Sequence, residues 1–240
     1  MTATAAAATN SSDHATAAVH AQQPFALKDC SLIAIATGRK AFTLVEFRDH
    51  LRDVTLDSVY HHFWGGLLGA RFEEREFNND FAAWCRHHLH EPGLAEQLAV
   101  VDPGEHRKLE SLRRELLDII DERLDSSELA PWLRAERPFE FLRSQLVIFA
   151  TGKTLQHPSE MSAVLPEIAT GSVFYHFIDA RRRLEDGGDD FSFWLAGFGA
   201  EYEELRRGLG KIDPFFASLS QVREELVGLC RQFCDGEEKS

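Results

Sequence analysis

Two histidines open the functional reading. His62 and His176 each lie four residues after a serine, Ser58 and Ser172, of a type that starts helices. Helical spacing groups His62 with Val59, Phe63 and Gly66, and His176 with Val173, Phe177 and Ala180. A histidine on such an apolar face must satisfy its ring nitrogens, because an unpaired buried polar group costs roughly 1–3 kcal/mol. Two arrangements answer that need. Each ring can bond a carbonyl or carboxylate within its own part of the chain. Alternatively, both rings converge on one metal or small-ligand site, with Tyr60, Tyr175 or an acid nearby. The first needs no coincidence of geometry and is preferred. Asp80 and Asp190 carry carboxylates suited to a base or metal ligand. Each directly precedes a Phe-x-x-Trp sequence, so both are expected as helix N-caps, as are Ser58 and Ser172.

The other chemistry-bearing clusters point more weakly to a site. His87, His88 and His90 sit close together, but the matching positions further along are Gly197, Phe198 and Ala200. Arg181, Arg182 and Arg183 spread over about 200° of a helix, so they are expected on a solvated face. Cys230 and Cys234, at i and i+4, are read as small core residues, and no CxxC pair exists. Gly152-Lys153-Thr154 resembles the end of a phosphate-binding loop, but Val147 stands where the first glycine belongs. No GxSxG, HExxH or GxGxxG occurs. No metal site or cofactor is assigned.

The elements that would hold these residues come twice. Pro24-Phe25 leads to Ala36-Thr37-Gly38, and Pro138-Phe139 leads to Ala150-Thr151-Gly152, an offset of 114. The same offset relates residues 58–63 to 172–177. It becomes 110 at Asp80-Phe81 and Trp84 against Asp190-Phe191 and Trp194, and 111 at Asp102-Pro103 against Asp213-Pro214. Small shifts between ordered blocks are what loop insertions and deletions produce. The expected fold is mainly α: a tandem duplication of a roughly 100-residue helical unit, packed with pseudo-twofold symmetry. The expected boundaries are a disordered tail over 1–23, repeats over 24–125 and 138–235, a connection over 126–137, and a charged tail over 236–240. Thr43 and Glu46 form a capping box ahead of Phe47 and Leu51. Residues 31–36 and 145–149 are short apolar runs, strand or buried helix by pattern. Their helical surroundings favour helix, with one short two-stranded pairing left open. Gly38 and Gly152 suit a left-handed stop after either element.

Composition bounds the partners. Lys and Arg total 26 against 39 Asp and Glu, a net charge of −13. That argues against duplex nucleic acid and anionic membrane, which need a basic surface. No apolar run approaches the roughly 20 residues of a membrane span. Residues 1–23 lack the features of a secretory or mitochondrial leader, and a reducing cytoplasm fits all four cysteines.

The chain resembles a bacterial and archaeal family known only as domain of unknown function 5752. The resemblance rests on the Thr-Gly turn, on residues 58–62 with 79–84, and on residues 172–176 through 180–184 to 189–194. It covers nearly all of 24–235 and implies the fold boundaries but no activity, cofactor or catalytic residue. Where the family carries a longer polar stretch, this chain has residues 64–70, rich in glycine and leucine. The expected function is a non-enzymatic scaffold or regulatory protein that binds another protein. The alternative is a ligand- or metal-binding protein, or an enzyme, with a site near the pseudo-axis around His62 and His176.

Overall fold

Residues 31–36 and 145–149 are strands, and long ones. In the computed structural model, β1 spans Phe25–Thr43 and β2 spans Arg134–Leu155, paired antiparallel. The expectation of helix fails here. These runs alternate or cluster β-branched residues, and their partners lie over 100 residues away, beyond any local periodicity. Leu32 pairs with Leu146 at the middle of the ladder.

The Thr-Gly pairs are not stops either. Gly38 and Gly152 adopt φ of 79° and 76°, which favours glycine, but each strand continues past them. Both mark bulges, where the register shifts between Ala36 and Lys40 and between Ala26 and Lys28. Thr37 Oγ1 donates to the Phe141 carbonyl at 2.6 Å, and Thr151 Oγ1 to the Leu27 carbonyl at 2.7 Å. Each threonine thereby fixes its bulge across the ribbon.

Helices pack along one face of this ribbon. The first set is α1 (Leu44–Asp53), α2 (Leu56–Tyr60, running into a π turn over His61–Gly65), α3 (Asp80–His87), α4 (Pro92–Ala99) and α5 (Leu109–Asp125). The capping box at Thr43 and Glu46 is formed, and Leu44, Phe47 and Leu51 are buried. The second set is α6 (Met161–Val164), α7 (Thr170–Val173, running into a π turn over Phe174–Asp179), α8 (Ala180–Arg183), α9 (Asp190–Ala196), α10 (Glu203–Leu209) and α11 (Leu219–Glu237). So the expected C-terminal tail over 236–240 gives way to helix at its start.

The packing is crosswise. α2 lies on β2, while α7 lies on β1. Phe139 and Phe141 of β2 stack among Phe47, Phe81 and Trp84 of the first helical set. Phe25 of β1 stacks with Phe191 and Trp194 of the second. Trp84 Nε1 donates to the Arg137 carbonyl at 2.9 Å, and Trp194 Nε1 to the Gln23 carbonyl at 3.0 Å. One hydrophobic cluster joins both sets.

The structure describes residues 23–69, 76–184, 187–214 and 217–237. Apart from Gln23, the expected N-terminal tail lies outside the described residues, as do residues 238–240. No helix among the described residues is long and apolar enough to cross a membrane.

Candidate functional site

The helices carrying His62 and His176 start earlier than the serines suggest. The chain turns at Thr55 and Ala169, where Ser58 N–H donates to the Thr55 carbonyl at 2.9 Å and Ser172 N–H to the Ala169 carbonyl at 3.0 Å. Ser58 and Ser172 are therefore buried helical residues and cap nothing. The caps at the next helices are also shifted by one residue. Asn79 Oδ1 accepts from Ala82 N–H and Asp189 Oδ1 from Ser192 N–H, both at 2.8 Å. Asp80 and Asp190 are instead the first helical residues, with their carboxylates turned to the histidines.

Asp80 Oδ2 stands 3.0 Å from His62 Nδ1, and Asp190 Oδ2 stands 2.8 Å from His176 Nδ1. On the other side of each ring a strand amide donates: Leu142 N–H to His62 Nε2 at 3.2 Å, Lys28 N–H to His176 Nε2 at 2.8 Å. A backbone N–H only donates, so each Nε2 is unprotonated and each Nδ1–H donates to its aspartate. Every ring nitrogen is occupied. Both imidazoles are buried.

The two rings do not meet. Leu142 pairs with Ala36, eight residues along β1 from Lys28. At about 3.3 Å per residue the two anchoring amides lie about 26 Å apart along the ribbon. The convergent site around both histidines is thus not formed.

A different set of groups does converge. Asp179, whose side chain is fully buried, accepts from Tyr60 Oη at 3.0 Å, from Arg182 at 3.1 Å and from Arg183 Nε at 2.9 Å. Arg183 also bonds Asp190 at 2.9 Å and stacks over the Tyr175 ring at 4.2 Å. A continuous network therefore runs from Tyr60 through Asp179, Arg183 and Asp190 to His176. Burial, with Asp179 beside it, pushes the Tyr60 hydroxyl pKa far up. Burial alone would raise the Asp190 carboxyl, but hydrogen bonds from His176 and Arg183 outweigh it and hold the pKa below the usual value. Of the four candidates, Tyr60, Tyr175 and His176 join this network, and His62 stands apart. The arginine run is a solvated face only in part: Arg182 and Arg183 are exposed but turn their guanidinium groups back to Asp179, and the half-buried Arg181 lies 4.6 Å over the Phe177 ring. Asp179 went unmarked in the sequence and Arg183 entered only as part of a solvated face, although the i, i+3 and i, i+4 spacing of an acid before two arginines signals both.

His61, His62 and Asp80 bring ligand-type atoms within 4.8 Å of one another. The donor set does not suit an ion, because both nitrogens of His62 are already bonded. His61 Nδ1 also contacts Ser144 Oγ at 2.8 Å. Burial, then the neighbouring His62, lowers the His61 pKa to about 4. The histidine cluster disperses: His87 bonds Glu76 and His90 bonds Glu136. Burial pushes the Cys30 and Cys230 thiols up to about 12, so neither is a ready nucleophile. A shallow depression of about 380 Å³ beside Leu94, Val100 and Arg123 is lined by none of these groups.

Comparisons with known proteins add a family and one solved relative. A model described as a family of unknown function (DUF5752) matches residues 22–231. The solved structure described as OrfY from Thermoproteus tenax is similar over 89% of this chain and 97% of that one. Its TM-score is 0.77, at 25% sequence identity. Among curated proteins no match is found.

Proposed function

This chain belongs to the DUF5752 family of unknown function, and from that premise we propose that it is a scaffold or regulatory module that binds another protein through the middle of its ribbon. The observation carrying this reading is the exposure there. Ile33, Val147, Ile148 and Phe149 are 49%, 40%, 45% and 45% exposed in a two-stranded sheet. Ile33, Val147 and Phe149 share the outer face, since Ile33 lies opposite Gln145, two residues from Val147. Large apolar side chains gathered on one exposed face mark interaction surfaces. The polar groups around His62, His176 and Asp179, by contrast, are bonded to one another and to the strand amides. The alternative site around His62 and His176 has no comparable support.

The reading includes a tandem duplication, residues 24–125 and 138–235, about a pseudo-twofold axis. Its support is the crosswise pairing of contacts at equivalent positions. Leu32 faces Leu146, its own counterpart at offset 114. Lys28 N–H meets His176 as Leu142 N–H meets His62. The axis then passes through the exposed patch, so a partner would meet similar apolar surface from both strands.

The test places a photo-crosslinking phenylalanine analogue at Phe149 and a second at the exposed Val100. A host protein captured at Phe149 but not at Val100, and lost with Ile33→Glu plus Val147→Glu, is expected. Equal capture at both positions, or capture insensitive to the charges, refutes the reading.

A further inference from the structure

The ribbon has two edges, and the donors along them are identifiable. Lys28 N–H and Leu142 N–H point away from the partner strand, toward His176 and His62. In an antiparallel ladder outward and inward amides alternate. The register is regular between Lys28↔Ala150 and Ala36↔Leu142. Amides of even-numbered residues in this stretch therefore face outward on both strands. The histidines cover the edge at Lys28 and Leu142, and the Asp29 carboxylate covers the Cys30 amide at 2.8 Å. Among the described residues no side chain is found on the outward amides of residues 32–36 on β1 and 146–150 on β2. Both stretches are uncharged and free of proline and glycine. Such an edge lacks the usual defences against an added strand.

Charge distinguishes the two edges. The 146–150 stretch is bracketed by Arg143 and Lys153, whereas 32–36 is bracketed by Asp29 and Arg39. The strands together carry seven Lys or Arg against three Asp or Glu, in a chain whose remainder carries the acidic excess. Lys153 has one exposed contact, with Glu167 at 3.4 Å, and Arg143 forms no ion pair among the described residues. A second copy fits this edge poorly. Antiparallel self-pairing centred on Ile148 sets Lys153 of one copy against Arg143 of the other, and like charges facing each other are destabilising.

We propose that the outer edge of β2 at residues 146–150 is a strand-addition site. It takes an extended segment of a partner protein with acidic residues on either side of an apolar, β-branched middle. Backbone bonds to the Leu146, Ile148 and Ala150 amides supply the affinity, and Arg143 and Lys153 select the flanks. This rests on the docking reading above and specifies how the partner is held.

The test titrates the full chain with labelled peptides having a Thr-Val-Thr-Val-Thr middle and either Glu or Lys flanks. The Glu-flanked peptide should bind at least about tenfold more tightly at low salt, with the contrast shrinking at high salt. Ile148→Pro removes an outward donor while sparing the ladder to β1, and should weaken binding by a similar factor. If that variant fails to fold, two Glu-flanked peptides N-methylated at alternate residues decide the matter: one series should lose binding and the other keep it. Equal affinity for Glu and Lys flanks, indifference to both methylation series, or no binding at millimolar peptide overturns the proposal. So does a dimer that Ile148→Pro dissociates, since a second copy would then hold the edge. If the Phe149 crosslink persists and remains charge-sensitive while the backbone variants have no effect, strand addition fails and the docking reading survives. Loss of that crosslink specificity removes both.

Discussion

His62 and His176 each tie a strand amide to a helix N-terminus, and the energetic consequence can be worked out. Replacing either by Asn leaves a short amide near the position of Nδ1 but nothing at Nε2. The Leu142 or Lys28 amide then loses its acceptor in a partly buried setting. An unsatisfied donor costs about 1–3 kcal/mol. Loss of ring packing, against Phe139 at 4.6 Å for His62 and Phe25 at 4.9 Å for His176, adds to this. Each substitution should therefore cost about 2–4 kcal/mol. His176→Asn should be the more severe, because its bonds are shorter and Asp190 is better buried than Asp80. The anchoring amides lie about 26 Å apart along the ribbon, with no shared partner, so the costs should add to within about 0.5 kcal/mol. Urea unfolding followed by tryptophan fluorescence, on the wild type, both singles and the double, measures this. A coupling above about 1 kcal/mol, with or without zinc, would refute the independence of the two rings. Single costs below about 0.5 kcal/mol would refute the strand-anchoring role.

Three further outcomes are expected. The His61 pKa is about 4 in the fold against 6.5 for the free group, so the unfolded chain binds the extra proton first. Stability should be full above about pH 6.5 and fall by up to about 3 kcal/mol as pH drops toward 4. His61→Gln should flatten that part of the urea-midpoint profile, and an unchanged slope would contradict the assignment. At Gly171 an added Cβ would collide with the Asp29 carboxylate and the Cys30 carbonyl, whereas at Gly93 it meets nothing within 4 Å. Gly171→Ala should cost about 1–3 kcal/mol or more, and Gly93→Ala should be neutral or slightly stabilising by thermal melting. Residues 1–130 and 131–240, produced separately, should each show little native structure by circular dichroism and recover it on mixing. Two independently folded fragments would contradict the crosswise packing.

Much of the helical layout was legible, because those signals are local. The Thr43–Glu46 box and the 3.6-residue spacing of Leu112, Leu116 and Ile120 place α1 and α5 without reference to anything distant. The ribbon was not, since residues 31–36 become strand only by pairing with residues that follow more than 100 positions later. Conversion of the Thr-Gly pairs from stops to bulges has the same origin: Thr37 needs the Phe141 carbonyl. At the site, residue types were informative and bond partners were not. His62 and His176 stood out as buried polar groups, but their nearest acids are just those residues that capping rules assign elsewhere. Nothing local marks Asp80 as N1 and Asn79 as the cap, because both types serve as caps. Asp179 was obscured because exposed arginines were read as facing water alone, whereas Arg182 and Arg183 also bond the buried acid behind them.

The insertion of β2 phenylalanines among the first set of helices has a consequence for how the protein is made. When Asp125 has been synthesised, all five helices of that set have been specified, but Phe139, Phe141 and the partner of β1 have not. Reaching Leu155 takes about 30 more residues, or about 2–6 s at cellular synthesis rates of about 5–20 residues per second. During that interval the apolar 31–36 segment is unpaired on a nascent chain. A neighbouring ribosome on the same message presents an identical β2 at high local concentration. Exchange of strands between sister chains is thus the misassembly this architecture exposes: the β1–β2 contacts would be native but intermolecular, while those within each helical set stay within one chain.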